Sequence, residues 1–510
     1  MLFNSLSFFV FFPLVAAAYF ACGRLARRSM ASQTLLLAAS LYFYACWNPW
    51  YLCLILFSVA ATWLGALALE GRPTGQKRAV VALVVLANLG LLLFFKYYDF
   101  LCDSLDWLSS RLGGGQAEGW ALPRFSVLLP VGISFYTFQA LGYMIDVYRG
   151  DVVAERNFVT YALFVTFFPQ LVAGPIERSY NLLPQFKENH PFDYNRATSG
   201  MRLFAWGLFK KVVIADQLAL YVDPIYGSVG TATGLALLLA TFFFAFQIWC
   251  DFSGYSDMAI GAARILGFNL MKNFDRPYTA TSIVEFWRRW HISLSTWFKD
   301  YVYIPLGGSR CGRLRHSMNL MTTFLVSGLW HGAAWHFVAW GLAHGLLQVV
   351  AVNTANARRK LRLWLRLETA TGVFSGWRTL QMLGTFCLVA LAWMLFRANS
   401  MADAAVIWGK FLAMPQELRT TFALLQEEGL KTVAYQVFGF NTLTPRFGTW
   451  MALASMMNIL LLFLVDWLGH RLPLGLGQLS LPMRWTCYVG MGVMVLCHLS
   501  SPSEFIYFQF

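Results

Sequence analysis

Two histidines stand where an imidazole is costly to place. His331 lies in the triplet Trp330-His331-Gly332, inside an apolar segment from Met318 to Val350. His291 closes a dense aromatic and basic run, Glu285-Phe286-Trp287-Arg288-Arg289-Trp290-His291. Ionisable side chains at membrane depth are expensive and mark functional sites. Imidazole is also the side chain whose ordinary titration falls nearest neutral pH. His331 has no charged neighbour in its own segment, and Gly332, Ala333 and Ala334 leave room for a substrate or another backbone to approach. A neutral imidazole there could take the proton from an attacking hydroxyl, or attack a thioester itself. The alternative is a hydrogen-bonded structural histidine.

His336 follows five residues later, roughly 140° around a helix of 3.6 residues per turn, so it does not share the face of His331. His344 is a weaker candidate still. A metal site needs two or more histidines on one face with supporting carboxylates, and the sequence offers none. The nine cysteines are scattered without a CxxC pair and read as small apolar fillers. Asp251-Phe252-Ser253-Gly254-Tyr255-Ser256-Asp257 places two carboxylates and three hydroxyls between apolar segments. Such a cluster could orient a histidine or line a polar channel, or simply cap a helix break.

Ser282 to Lys299 reads as one amphipathic helix. Ser282 with Glu285 forms a capping-box pattern, and Ile283, Phe286, Trp287, Trp290, Leu294, Trp297 and Phe298 make an apolar stripe. Arg288 and Arg289 lie off the stripe and could face lipid phosphates or an anionic ligand. His291 sits at the stripe's edge. A plain membrane-surface helix with no catalytic role fits the same pattern.

The elements that must position these residues are membrane spans. Of 510 residues, 58% are hydrophobic and 13% charged, and the mean hydropathy is +0.54. Soluble domains average about 25% charged residues. At ~20 residues per span the apolar runs allow roughly ten to twelve embedded helices. Continuous rather than alternating runs exclude a barrel. The expected fold is therefore all-α and polytopic. The net charge of +14 resides in the short connections, where membrane topology and anionic lipid account for it better than nucleic acid does.

Leu2 to Cys22 has no basic residue before it and is followed by Arg24, Arg27 and Arg28, so it reads as a retained first span that starts outside. Leu35 to Leu69, interrupted by Asn48-Pro49, reads as two spans. Arg72, Lys77 and Arg78 precede a span at Val80 to Phe95. The basic-poor connection Asp99 to Pro123 follows, with Asp103, Asp106, Glu118 and Gly113-Gly114-Gly115. From Leu129 onward, Pro130, Pro169, Gly174 and Pro175 interrupt apolar segments that also hold Tyr136, Gln139 and Asp146. Irregular backbone at depth needs protein or a water-filled cavity around it, so this region is expected to line a cavity with short or re-entrant helices. Ordinary proline kinks are the alternative.

Further spans are expected at Arg202 to Asp223, Leu235 to Cys250, Leu380 to Phe396, Trp450 to Leu468 and Trp485 to Leu499. Asn353 to Arg366 reads as a basic surface helix, and Phe411 to Phe447 as mixed and outside the membrane. The chain divides as N-terminal spans 1–98, a core 124–350 and C-terminal spans 378–510 of one membrane domain. No internal repeat is visible, which argues against an inverted-repeat transporter.

The run Trp287 to Trp297, then Tyr301 to Pro305, Leu306-Gly307-Gly308 and Trp330-His331-Gly332, resembles the membrane-bound O-acyltransferase family. Within it the chain is most similar to the alginate O-acetyltransferase membrane subunit branch. Ala173-Gly174-Pro175, Asp251 to Asp257 and Phe505-Ile506-Tyr507-Phe508-Gln509-Phe510 match as well. The resemblance implies a ring of tilted helices around a thin core with a tunnel joining the two faces. It implies His331 as the catalytic histidine and His291 as the second. Trp330, Asp251, Tyr255, Asp257, Arg289 and Trp290 are then candidates for substrate or tunnel contact. It further implies a bacterial inner-membrane enzyme with no permanently bound cofactor. Acetyl would pass from acetyl-CoA outward to an exopolysaccharide such as alginate or cellulose, with a periplasmic serine-hydrolase-like partner. Two other classes stay open: a proton-coupled transporter or flippase using the histidines with Asp251 and Asp257, and a non-catalytic scaffold of a polysaccharide secretion complex.

Overall fold

The computed structural model describes residues 1–26, 29–112, 123–124, 129–369, 372–471, 480–499 and 505–506. Arg27, Arg28, the Gly113 to Gly115 run, Glu118 and Tyr507 to Phe510 lie outside the described residues. Most of the described chain is helix, with one two-residue strand pair among the described residues, Glu368–Thr369 against Gly372–Val373. Seven helical stretches among the described residues are long and apolar enough to cross a membrane. The chain is a polytopic helical membrane protein. These seven meet a criterion of length and apolar character alone; the other apolar runs fold as shorter or more polar helices.

In chain order, α1 (Leu6–Ala26), α2 (Ser29–Ala45) and α3 (Leu52–Leu67) precede α4 (Thr74–Leu92), which continues through a π-turn at Leu93–Tyr97 into α5 (Tyr98–Leu112). That continuous stretch has 39 residues. At 1.5 Å per residue it is about 58 Å long, nearly twice an apolar bilayer core of about 30 Å, so α5 projects beyond it. Then come α6 (Ile133–Arg149), α7 (Phe158–Thr166), α8 (Ser179–Lys187), α9 (Tyr194–Phe209), α10 (Asp216–Gly227) and α11 (Gly234–Leu266). Two short helices, α12 (Ile283–Arg289) and α13 (Ile292–Phe298), lead to the antiparallel pair α14 (Arg313–His331) and α15 (Trp335–Asn353). The chain ends with α16 (Ala355–Trp364), α17 (Ser375–Arg397), α18 (Met401–Glu428), the single turn α19 (Leu430–Thr432), α20 (Thr449–Arg471) and α21 (Leu481–His498).

Three elements differ from the sequence pattern. Arg202 to Asp223 lies in a helical stretch that runs unbroken from α9 through a π-turn at Lys210–Ala215 into α10, and it is not among the seven stretches apolar enough to cross. Asp251 to Asp257 does not sit at a helix break; it lies inside the 33-residue α11. Its carboxylates are tolerated there because Lys211 Nζ lies 2.7 Å from Asp251 and Lys210 Nζ 2.6 Å from Asp257. Ser282 to Lys299 is broken at Trp290-His291 into α12 and α13.

Glycines bring α9 and α11 into backbone contact. Gly200 faces Gly261 and Gly207 faces Gly254, seven residues apart on each antiparallel helix; a Cβ on Gly207 would come 2.5 Å from the Gly254 carbonyl. Close approach of this kind is how helices associate in lipid, where no hydrophobic force draws them together. We predict that Gly207→Leu destabilises the protein by at least about 1–3 kcal/mol through overpacking, seen as a lowered thermal midpoint in detergent. Gly490→Leu, at a position with open space around it, leaves the midpoint unchanged. Equal midpoints for both variants would contradict the packing.

Glu177, in the loop entering α8, supplies a pH-dependent term. Burial pushes its carboxyl up to about 7, although it accepts hydrogen bonds from the Met271 N–H and the Asn181 amide. The folded state thus holds this proton more tightly than the unfolded chain. The associated stability is fully present below the ordinary value of 4.5 and is lost as pH rises towards 7. Glu177→Gln should flatten the fall in thermal midpoint across that interval; an unchanged slope assigns it elsewhere.

Candidate active site

His331 is the last residue of α14, and the chain leaves the helix at Gly332 in an extended conformation. The backbone carbonyls at such an end have no intrahelical partner and must find one. Here Lys96 Nζ donates to the carbonyls of Trp330 (2.7 Å) and His331 (3.0 Å), and the Tyr97 hydroxyl donates to that of Leu329. A cation at a helix C-terminus also suits the helix dipole. The sequence reading of His331 as a residue without a charged neighbour holds along the chain and fails in space. The segment Met318 to Val350 is two helices, not one, so the helical-wheel separation of His331 from His336 does not apply across the turn at Gly332 to Ala334. Gly332 is required by space, since any Cβ would overlap the Phe337 ring.

The imidazole of His331 is buried among aromatic edges. Its centroid lies 4.9 Å from Trp330, 5.0 Å from Trp340 and 5.4 Å from Phe396, all near perpendicular. His291 packs against the same Trp330, 6.0 Å away between ring centroids. It is fully buried, packed edge-to-face on Phe252 at 4.6 Å, rather than at the edge of a surface helix. His291 has φ 44°, the left-handed region that non-glycine residues adopt at a cost of about 1–3 kcal/mol.

Asn273 holds that conformation. Its Oδ1 accepts from the Ser293 N–H (3.2 Å) and hydroxyl (2.9 Å), and its carbonyl accepts the Ile292 N–H (2.9 Å). The same Oδ1 lies 3.2 Å from His291 Nδ1, which must therefore donate and leaves Nε2 as the basic nitrogen.

Cavities reach this centre from two directions. One of about 200 Å³ runs along α14 from its basic end, lined among others by Arg288, Lys299, Tyr303, Thr323 and Ser327. Ser327 is four residues, about 6 Å of helical rise, before His331. On the opposite side, cavities of about 370 and 640 Å³ meet at Ala333, Ala334, His336 and Asn399, next to the α14–α15 turn. Lys96 lines the first of these and also a water-sized space of about 30 Å³ bounded by Gly132, Ser134, Trp330 and His331. The buried imidazole thus stands between a basic cavity and an opposite vestibule.

Residues 153–394 match the model of MBOAT, the membrane-bound O-acyltransferase family. A probable alginate O-acetylase of Pseudomonas putida is 38% identical over 454 residues, covering 87% of this chain and 86% of its own length. The chain belongs to the membrane-bound O-acyltransferase family. A peptidoglycan O-acetyltransferase of Helicobacter pylori is 36% identical over 79% of this chain and 78% of its own length. A teichoic acid D-alanyltransferase of Streptococcus thermophilus is 31% identical over 46% of this chain and 59% of its own. The protein is a membrane acyltransferase.

Within this acyltransferase the fold brings together only part of the sequence-derived set. Trp330 borders both imidazoles. Trp290 is fully buried and stands one ring removed, packing on Trp393 at 5.0 Å, which in turn stacks on Trp340 at 5.7 Å. Arg289 is engaged by Glu285 at 2.5 Å and Thr279 at 2.8 Å. Asp251 and Asp257 face lysines rather than imidazoles, and Tyr255 packs between Phe3 and Phe505.

Lys96, Tyr97, Asn273 and Phe396 were not legible as site residues, since each reaches the centre only through tertiary contact. Lys96 offered one signal: a lysine inside an otherwise apolar span. We predict that Lys96→Met slows acyl transfer about 10²-fold, the scale of an ångström's misplacement, with Lys96→Arg partly restoring it. Full activity of Lys96→Met would show the cap to be dispensable.

Proposed function

We propose that this enzyme takes a short acyl group, acetyl, from a cytosolic thioester donor, acetyl-CoA, and passes it across the bacterial inner membrane for O-acetylation of an exopolysaccharide such as alginate or cellulose. The observation that carries this reading is the position of His331, buried at a helix break between a cavity on the basic face and a vestibule on the opposite one. Basic loops mark the cytosolic side. Arg288 and Lys299, both exposed at the basic cavity, suit the phosphates of a CoA donor. A volume of about 200 Å³ suits an acetyl thioester better than a long acyl chain.

His331 serves as the general base toward an acceptor hydroxyl, with His291, packed on the same Trp330, supporting. The chemistry needs no permanently bound cofactor. Acetyl leaves on the opposite side towards a periplasmic serine-hydrolase-like partner that modifies the polymer. The names of the relatives, acetylases of alginate and of peptidoglycan among them, support an acetyl cargo and a cell-envelope polymer.

A proton-coupled transporter is disfavoured because Asp251 and Asp257, the carboxylates such a relay would use, are engaged by Lys211 and Lys210. In cells, His331→Ala should accumulate in the membrane at the wild-type level while polymer acetylation, measured by mass spectrometry, falls by about 10²–10⁴-fold. Retained acetylation would overturn the catalytic reading and favour a scaffold.

A further inference from the structure

His344 is absorbed by none of the roles above, yet it is fully buried one helical turn after Trp340 on α15. Its Nδ1 lies 3.2 Å from Trp287 Nε1. An indole nitrogen can only donate, so Nδ1 accepts and the proton of the neutral ring sits on Nε2. That Nε2–H has no partner among the described residues, and neither has the buried indole N–H of Trp340. Buried donors without acceptors are destabilising and uncommon in native folds, and each calls for an explanation.

The two lie in one place. The Trp340 ring is 5.0 Å from His331 and 4.9 Å from His344. Trp287, which fixes the His344 tautomer, lines the basic cavity and lies 5.0 Å from His344 and 5.8 Å from Trp340. Ring contacts therefore run from Trp287 at the wall of that cavity through Trp340 and His344 to His331.

Resting on the acyl-transfer reading above, we propose that His344 Nε2–H and Trp340 Nε1–H are the donor pair that holds the carbonyl oxygen of the acyl thioester beside His331. The acceptor hydroxyl loses its proton to His331 as its oxygen bonds to the thioester carbon, and the C=O electron pair moves onto oxygen. The two N–H groups stabilise that oxyanion. Its collapse re-forms C=O, breaks C–S, and the thiolate leaves with the proton carried by His331. Preorganised donors in a water-excluded site are worth most at this point of the reaction. Trp287 is a positioning residue, acting through the tautomer of His344.

The test uses inside-out membrane vesicles carrying the full chain, supplied with acetyl-CoA labelled in the acetyl group, with CoA thiol release and polymer label followed together. His344→Leu should lower kcat by about 10²–10³-fold while KM for acetyl-CoA moves less than about threefold. His344→Gln, which keeps an N–H donor, should recover at least about a tenth of the wild-type rate, and Trp340→Phe should lose about tenfold. Wild-type kcat in His344→Leu, or His344→Gln as slow as a well-folded His344→Leu, would reduce His344 to packing and overturn the assignment. Should His344→Leu fail to accumulate, Trp340→Phe decides: an unchanged kcat overturns the donor pair. Thiol release by His331→Ala at the wild-type rate would instead overturn the underlying acyl-transfer reading.

Discussion

The structure turns on the three carbonyls that α14 leaves open where it stops at His331. In a low-dielectric layer an unsatisfied carbonyl costs several kcal/mol, so a helix can end at depth only if something meets it. Lys96 and Tyr97 do so from the π-turn between α4 and α5, a helix pair that shares no sequence neighbourhood with α14. With that end secured, the chain can turn at Gly332 to Ala334 and pack α15 back against α14. Gly341 and Gly345, one turn apart, let α15 approach closely; a Cβ on Gly345 would meet Met321 and Phe324. The histidines and tryptophans on this pair are held by backbone proximity rather than by long side-chain bridges.

Charge is partitioned in the same architecture. The buried lysine–aspartate pairs lie between the π-turn after α9 and the middle of α11, where the Ile506 N–H also donates to Asp251 Oδ2 at 2.8 Å. Two buried ions offset each other's desolvation only when the geometry is good, and removing one partner leaves an exposed deficit of several kcal/mol. These pairs therefore tie helices and the C-terminal segment together. The centre around His331 and His291 is instead almost wholly aromatic, with Lys96 as the cation directly against it. The carboxylates of Asp251 and Asp257 are engaged by lysines rather than by these imidazoles.

Much of the membrane architecture was readable in advance. Continuous apolar runs and alternating basic loops gave the helical class and the placement of α1 to α4, because insertion depends on local composition. The capping box at Ser282 was also legible: the Ser282 hydroxyl accepts the Glu285 N–H at 3.2 Å. What failed was continuity. Ser282 to Lys299 has a single apolar stripe, yet His291 takes a left-handed conformation because Asn273, from the loop after α11, satisfies the ladder on its far side. The Asp251 to Asp257 cluster suggested a polar break, and lysines from α9's π-turn removed the need for one.

The sequence by itself determined that this is a polytopic helical membrane protein, singled out His331 and His291 as its costliest imidazoles, and carried the family resemblance in local motifs. Those features are short-range: hydropathy, loop charge and residue type act within a span or a turn. Only the tertiary structure decided that His331 ends a helix, that Lys96 stands against it, that Asp251 and Asp257 belong to lysines, and that His344 lies in the same aromatic wall as His331. The first three of those outcomes depend on satisfying polar groups in a layer without water, and the partners that satisfy them come from distant sequence.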